Sequence, residues 1–207
     1  MGKHKRKLEE YSEVMRKERG TSNFFKTFIA KPDNITLNIQ EKDERVLLVI
    51  RQHVVTQVKS AVSLLLTAII IPLVLQLSGL ISSLPDRFAV AFYIGFIVVA
   101  FGMAMRAFLI WFFNVYVITD ERIIDVDFHS MIYKDISSAK IENIEDVTAR
   151  AIGPMAAIFN YGTILIQTAG TNTEFEFAHV PEPTKIKKLL NELILEEERE
   201  KAEGRVN

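Results

Sequence analysis

Residues 60–113 read SAVSLLLTAIIIPLVLQLSGLISSLPDRFAVAFYIGFIVVAFGMAMRAFLIWFF, and only Asp86, Arg87 and Arg106 carry charge within them. No charge falls between Ser60 and Leu84, a run of 25 residues, and a second run of 18 extends from Phe88 to Met105. As helix the first run is roughly 37 Å long, more than the ~30 Å hydrocarbon thickness of a bilayer. A water-soluble chain of this size would need far more amphipathic sequence to bury two such helices. Spans are therefore expected over about 60–82 and 88–111. The short connection Ser82-Ser83-Leu84-Pro85-Asp86-Arg87 makes them a helical hairpin.

The rest of the chain is sorted by charge around this hairpin. Of 207 residues 49% are hydrophobic and 25% charged, with a net charge of -1. Residues 1–59 hold 13 Lys+Arg against 8 Asp+Glu, and residues 114–207 hold 10 against 17, so a basic head precedes an acidic tail. Near-zero net charge makes no case for nucleic acid. The absence of Cys excludes a disulfide framework, thiolate metal ligands and a cysteine nucleophile.

Positive charge at the outer ends of the hairpin sets its expected orientation. Arg51 and Lys59 precede the first span and Arg106 lies near the end of the second, whereas the connecting turn offsets Arg87 with Asp86. Both termini should then face the cytoplasm from a multi-pass position in the inner (plasma) membrane. Trp111 and Tyr116 would join Arg51, Lys59 and Arg106 at the membrane interface, with Arg106 snorkelling. Pro72 predicts a kink, and Gln76 is expected to hydrogen-bond either to a neighbouring helix or to that kink. The first 23 residues lack an apolar core, which argues against a signal peptide, and Arg6 stands where a myristoylation motif wants Ser or Thr.

Ahead of the spans, residues 1–40 form a basic segment opened by Lys3, Lys5, Arg6 and Lys7, and the spacing predicts a short strand at Ile35, Leu37 and Ile39. Residues 41–58 read as a helix feeding the first span, so that 41–113 form a juxtamembrane helix and hairpin. After Phe113 the period changes from helical to two. Strands are expected over Val115–Thr119, around Ile124, Val126 and Phe128, from Ala139 to Arg150 with a bulge or a short helix breaking the alternation, over Thr163–Thr168, and around Phe175 and Phe177. Gly153-Pro154 opens a non-strand link through Phe159. Ile186, Leu189, Leu190, Leu193 and Ile194 then make one apolar helix stripe. Residues 114–195 should thus be a domain of antiparallel strands closed by a helix, followed by a charged tail at 196–207.

Three blocks carry a resemblance. They are Asn114-Val-Tyr116-Val-Ile-Thr119-Asp120-Glu121-Arg122-Ile-Ile, Ile141-Glu-Asn-Ile144-Glu-Asp146-Val147, and Phe159-Asn-Tyr161-Gly162-Thr163-Ile-Leu-Ile166-Gln-Thr168-Ala-Gly170. In order and spacing they resemble the bacterial pleckstrin-homology-like, or membrane-flanked, domain family over about residues 110–195. The resemblance marks Asn114, Tyr116, Thr119, Arg122, Tyr161 and Gly162 as motif residues. It implies a split β-barrel of seven strands with a C-terminal capping helix, often preceded by transmembrane helices. The implied fold class is an α+β membrane protein, and the likeness supplies a fold more firmly than an activity.

The chemistry of the residues narrows the function. A phosphoinositide site gathers Lys and Arg around the first strand loops, but Arg122 stands among Asp120, Glu121, Asp125 and Asp127, which would repel an inositol phosphate. The four histidines are scattered, so no metal site is expected. Asp125 and Asp127 read as an outward, solvated pair. No catalytic constellation or cofactor motif is present, and the expectation is a non-enzymatic scaffolding or interaction module at the cytoplasmic face. Its partners would be the lipid bilayer and a protein or a second copy. The alternatives are an accessory subunit of a transport or export assembly, resting on Pro72, Gln76 and Arg106, and a membrane enzyme using Asp125, Asp127, His129 or His179.

Overall fold

The structure, a computed structural model, describes residues 12–18, 26–31, 44–128, 134–170 and 173–204. In chain order come α1 (Glu13–Lys17), β1 (Phe28–Ala30), β2 (Val46–Arg51), α2 (Val55–Leu77) and α3 (Asp86–Phe113). There follow β3 (Val115–Thr119), β4 (Arg122–Phe128), β5 (Lys134–Lys140), β6 (Ile144–Arg150), α4 (Pro154–Phe159), β7 (Tyr161–Thr168), β8 (Glu174–Pro181) and α5 (Pro183–Ala202). The chain divides into two compact units, residues 54–113 and residues 1–53 with 114–207.

The first unit is the helical hairpin. Both helices are long and apolar enough to cross a membrane, by length and composition. No residue of α2 is buried, and α3 buries only Trp111. The other described residues therefore leave the apolar side chains of both helices almost wholly uncovered. α2 runs through Pro72 to Leu77, and Gly79, at φ +76°, helps turn the chain. The Tyr93 hydroxyl donates to Gln76 Oε1 at 3.1 Å, which gives Gln76 the interhelical bond, one of the two expected of it.

The second unit holds two antiparallel sheets, one ordered β1-β2-β3-β4-β5 and one ordered β6-β7-β8. Among the described residues they do not close into a single barrel. Val46–Arg51 corrects the sequence reading, for it is a strand and not the helix expected over 41–58. Its run Val-Leu-Leu-Val-Ile shows no alternation because residues on both of its faces are buried, so periodicity could not separate strand from helix. β2 pairs with β3 from Val46↔Thr119 to Arg51↔Val115, so the hairpin is inserted between two neighbouring strands of one sheet. The strand expected at Ile35–Ile39 and the basic cluster at Lys3–Lys7 lie outside the described residues.

The main core lies where both sheets meet α5. Leu48, Ile118, Ile123, Ile164, Ile166 and Phe177 are fully buried there, together with Ile186, Leu189 and Leu190 from the helix stripe. Each such side chain contributes about 1.5–3 kcal/mol by leaving water. The opposite face of the five-stranded sheet carries a smaller cluster of Ile29, Val49, Val117, Ile124 and Val126. A 3-10 turn at Ile141–Asn143 and a register shift between Ile144 and Asp146 account for the broken alternation of the 139–150 stretch.

Residues 12–18, within the basic amino-terminal segment, are tied to α5. Ser12 caps α1, accepting the Met15 N–H at 3.1 Å, while its hydroxyl donates to Glu192 Oε2 of α5 at 2.6 Å. Glu13 pairs with Lys188, and Glu18 pairs with Lys185. Met15 is thereby held fully buried in the main core.

Candidate functional site

The cross-strand register lays out the inner face of the larger sheet in rows. Ile50, Tyr116, Asp125 and Ser137 are successive partners, and Leu48, Ile118, Ile123 and Ala139 make up the neighbouring row. Partners across a ladder share a face, so Asp125 points the same way as Tyr116 and as the core residue Ile123. Asp127 follows two residues on. This corrects the outward placement of the acid pair: the parity that puts Ile123 in the core puts Asp125 and Asp127 on the same inner face.

These rows open into a cleft of about 350 Å³, lined by Gln52, Tyr116, Asp125, Asp127, Glu174 and Glu176 among others. Four carboxylates thus surround one space. Asp125 Oδ1 is buried and without a hydrogen-bond partner. Burial, and secondly the charge of Asp127, push the Asp125 carboxyl up to about 7. Tyr116 forms the floor: its ring stacks on Phe177 at 4.5 Å, and its Oη accepts the Ala178 N–H at 3.2 Å. Burial, followed by the charge of Asp125, raises the Tyr116 hydroxyl to about 12. A space of this polarity attracts a cation and repels a phosphate.

The motif residues of the first block are structural. Asn114 Oδ1 accepts the Phe128 N–H at 2.6 Å and so fastens the ends of β3 and β4. The Thr119 hydroxyl donates to Glu44 Oε1 at 2.6 Å and accepts the Arg122 N–H at 2.9 Å, closing the β3–β4 turn. Arg122 Nε lies 2.9 Å from Glu44 Oε1 in an ion pair whose carboxylate is buried. That occupies the one cation a phosphate would have sought in this loop. Nothing in the sequence pattern pointed to Glu44, which lies 78 positions before its partner.

The third block has a different logic. A Cβ on Gly162 would stand 2.4 Å from the Arg150 carbonyl oxygen, so only glycine lets β7 approach β6 this closely. The Tyr161 ring stacks on His53 at 5.5 Å and lies 6.1 Å from His179. The His53 N–H donates to the His179 carbonyl at 2.8 Å, which ties the end of β2 to β8. Burial pulls the His53 imidazole below its usual value.

The five residues assigned to a membrane interface separate. Lys59 and Arg106 are exposed on α2 and α3, and Trp111 is buried. Arg51 is also buried, as the last residue of β2, and its Nη1 donates to the Lys26 carbonyl at 3.3 Å. Tyr116 lies between the sheets rather than on a surface belt, because strand parity turns its ring inward onto Phe177. Of the enzyme candidates, Asp125 and Asp127 share the cleft, His179 is exposed at φ +53°, and His129 lies outside the described residues. Among the described residues no three His, Asp or Glu side chains are grouped to hold a metal.

No curated protein and no solved structure matches the chain. A family model described as the bacterial PH domain does match, over residues 53–194, which take in the helical hairpin and the sheets from β3 through most of α5. That match covers more than half of the chain, and the chain therefore belongs to the bacterial PH domain family.

Proposed function

We propose that this chain is a membrane-anchored, non-enzymatic interaction module at the cytoplasmic face, whose cleft receives a cationic segment of a protein partner. Its family is one of protein- and lipid-interaction modules. The observation that carries the reading is the pairing of Arg51 with Val115. The apolar hairpin leaves and re-enters one sheet between these partners, which supports reading it as an anchor for that sheet. The four carboxylates of the cleft then favour a Lys or Arg side chain over an anionic headgroup.

The absence of native Cys makes the test direct. Single substitutions Ser83→Cys and Thr173→Cys, treated in intact cells with a membrane-impermeant maleimide, should leave Thr173→Cys unlabelled. Labelling at position 173 but not at 83 would reverse the topology. For the cleft, an Arg-rich peptide should bind the full chain in nanodiscs and protect a label at Ser137→Cys. Equal binding by the D125N/D127N variant would remove the cleft from the proposal.

A further inference from the structure

Between β6 and β7 the chain reads Ala151-Ile-Gly-Pro-Met155-Ala-Ala-Ile158-Phe159, nine residues without a charge. The segment turns its apolar side chains outward: Ile152 is 83% exposed, Ile158 72%, and Met155 and Phe159 are exposed as well. Of the six residues of α4 only Ala156 is buried. A water-soluble surface seldom gathers large aliphatic and aromatic side chains in one short loop without a use for them.

The loop is built to hold this shape. Gly153, at φ +95°, admits the chain into α4 with Pro154 at its first turn. Asn160, at φ +50°, ends the helix, with its N–H donating to the Ala156 carbonyl. The Asn160 carbonyl in turn accepts the Glu182 N–H at 2.9 Å, fixing the loop to the start of α5. Because α4 bonds part of its backbone internally, those groups can leave water at little cost, while the side chains around them gain from doing so.

The position of the loop identifies its occupant. Phe159 lies 6.5 Å from the His53 ring, and Tyr161 stacks on the same ring at 5.5 Å. His53 is followed within two residues by the first turn of α2. We infer that residues 151–159 form a second membrane contact, an apolar loop that inserts into the lipid interface beside the point where the chain enters the anchor. This rests on the anchor reading of the hairpin and adds a surface to it. A bilayer fits the loop better than a protein does, since the segment offers no charged side chain and only Arg150 borders it as a cation, as suits a headgroup layer.

The test places an environment-sensitive fluorophore on single Cys variants of the full chain in phosphatidylcholine–phosphatidylglycerol nanodiscs. The variants are Ile152→Cys and Ile158→Cys in the loop, Ile70→Cys in α2, and Glu145→Cys on β6. Nitroxide-labelled phosphatidylcholine serves as quencher, with the nitroxide either near the headgroup or deep in the chain. Labels at 152 and 158 should emit to the blue of the label at 145 and lose most of their emission to the shallow nitroxide. The label at 70 should respond to the deep one. If 70 is quenched while 152 and 158 behave like 145, the anchor stands and the loop contact is refuted. If 70 is not quenched by either lipid, the anchor reading fails and takes this inference with it. A blue shift at 158 without lipid quenching, or one found only in discs holding two copies, would assign the loop to a protein surface and overturn the lipid contact.

Discussion

Arg51, the last residue of the strand before the helical hairpin, pairs across the sheet with Val115, the first residue of the strand after it. The connection between two neighbouring strands is therefore the whole of α2 and α3. Both ends of the hairpin are held by ladder hydrogen bonds, and Asn114 reinforces the exit by accepting the Phe128 N–H.

Arg122→Ala removes the ion pair from the buried Glu44 carboxylate, which keeps the Thr119 hydroxyl as a donor. Removing one partner of a buried pair costs about 3 kcal/mol. Thermal unfolding of the full chain in detergent should show the loss. A melting temperature within a degree or so of the parent would count against this role for the pair.

Gly162→Ala drives a methyl group into the Arg150 carbonyl. Overpacking against a backbone atom costs about 1–3 kcal/mol, because β6 must shift to relieve it. The same substitution at Gly95, where the added carbon meets nothing within 4 Å beyond its chain neighbours and the backbone of its own helix, should be nearly silent. Comparing the two by circular dichroism melting separates steric contact from a general intolerance of substitution.

Asp125→Asn tests the buried carboxylate. The folded-state value, about 7 against an ordinary 3.8, means that the folded protein holds a proton the unfolded chain has released. Asp125 therefore costs nothing below pH 4, costs progressively more as pH rises from 4 to 7, and costs its full amount above 7. After discounting for water at the cleft mouth, that amount is about 1–2 kcal/mol. The substitution should thus raise the melting temperature at pH 8 and leave it unchanged near pH 4. An effect of equal size at both values would show that the charge is not the cause.

Met15→Ala removes a fully buried side chain that the amino-terminal helix places in the core. Truncations of this kind cost about 2–5 kcal/mol. Hydrogen exchange should then rise along α5, where Glu192, Lys188 and Lys185 bind the same helix. Unchanged protection in α5 would mean that α1 does not brace it.

The hairpin was legible because nothing but length and apolarity is needed to recognise it, and the α5 stripe because Ile186, Leu189, Leu190 and Leu193 keep a strict helical spacing. β2 was not legible. A strand buried on both faces loses the alternation that distinguishes it from helix. Without β2 the sheet unit reads as starting at Asn114, and the partnership of Glu44 with Arg122 is invisible. Asp125 and Asp127 were visible as a pair, but assigning their face required knowing that Ile123, and not only Ile124 and Val126, lies in a core. Glu174 and Glu176 reach the same cleft from β8, and only the register of two separate sheets brings them there. The Gly153-Pro154 break in the 151–159 loop could be read directly, whereas the outward aim of Ile152 and Ile158 depends on how α4 is held.

The placement of the hairpin between β2 and β3 also bears on assembly. Before Arg51 can find Val115, everything between them must be compacted, and a flexible loop of that length closes only at an entropic cost. Once α2 and α3 stand antiparallel, with Tyr93 bonded to Gln76, that closure is largely complete before the sheet begins to zip. Pairing of α2 with α3 would therefore bring β2 and β3 within reach of each other, and a ribosome-bound chain halted before α3 would hold β2 without its β3 neighbour.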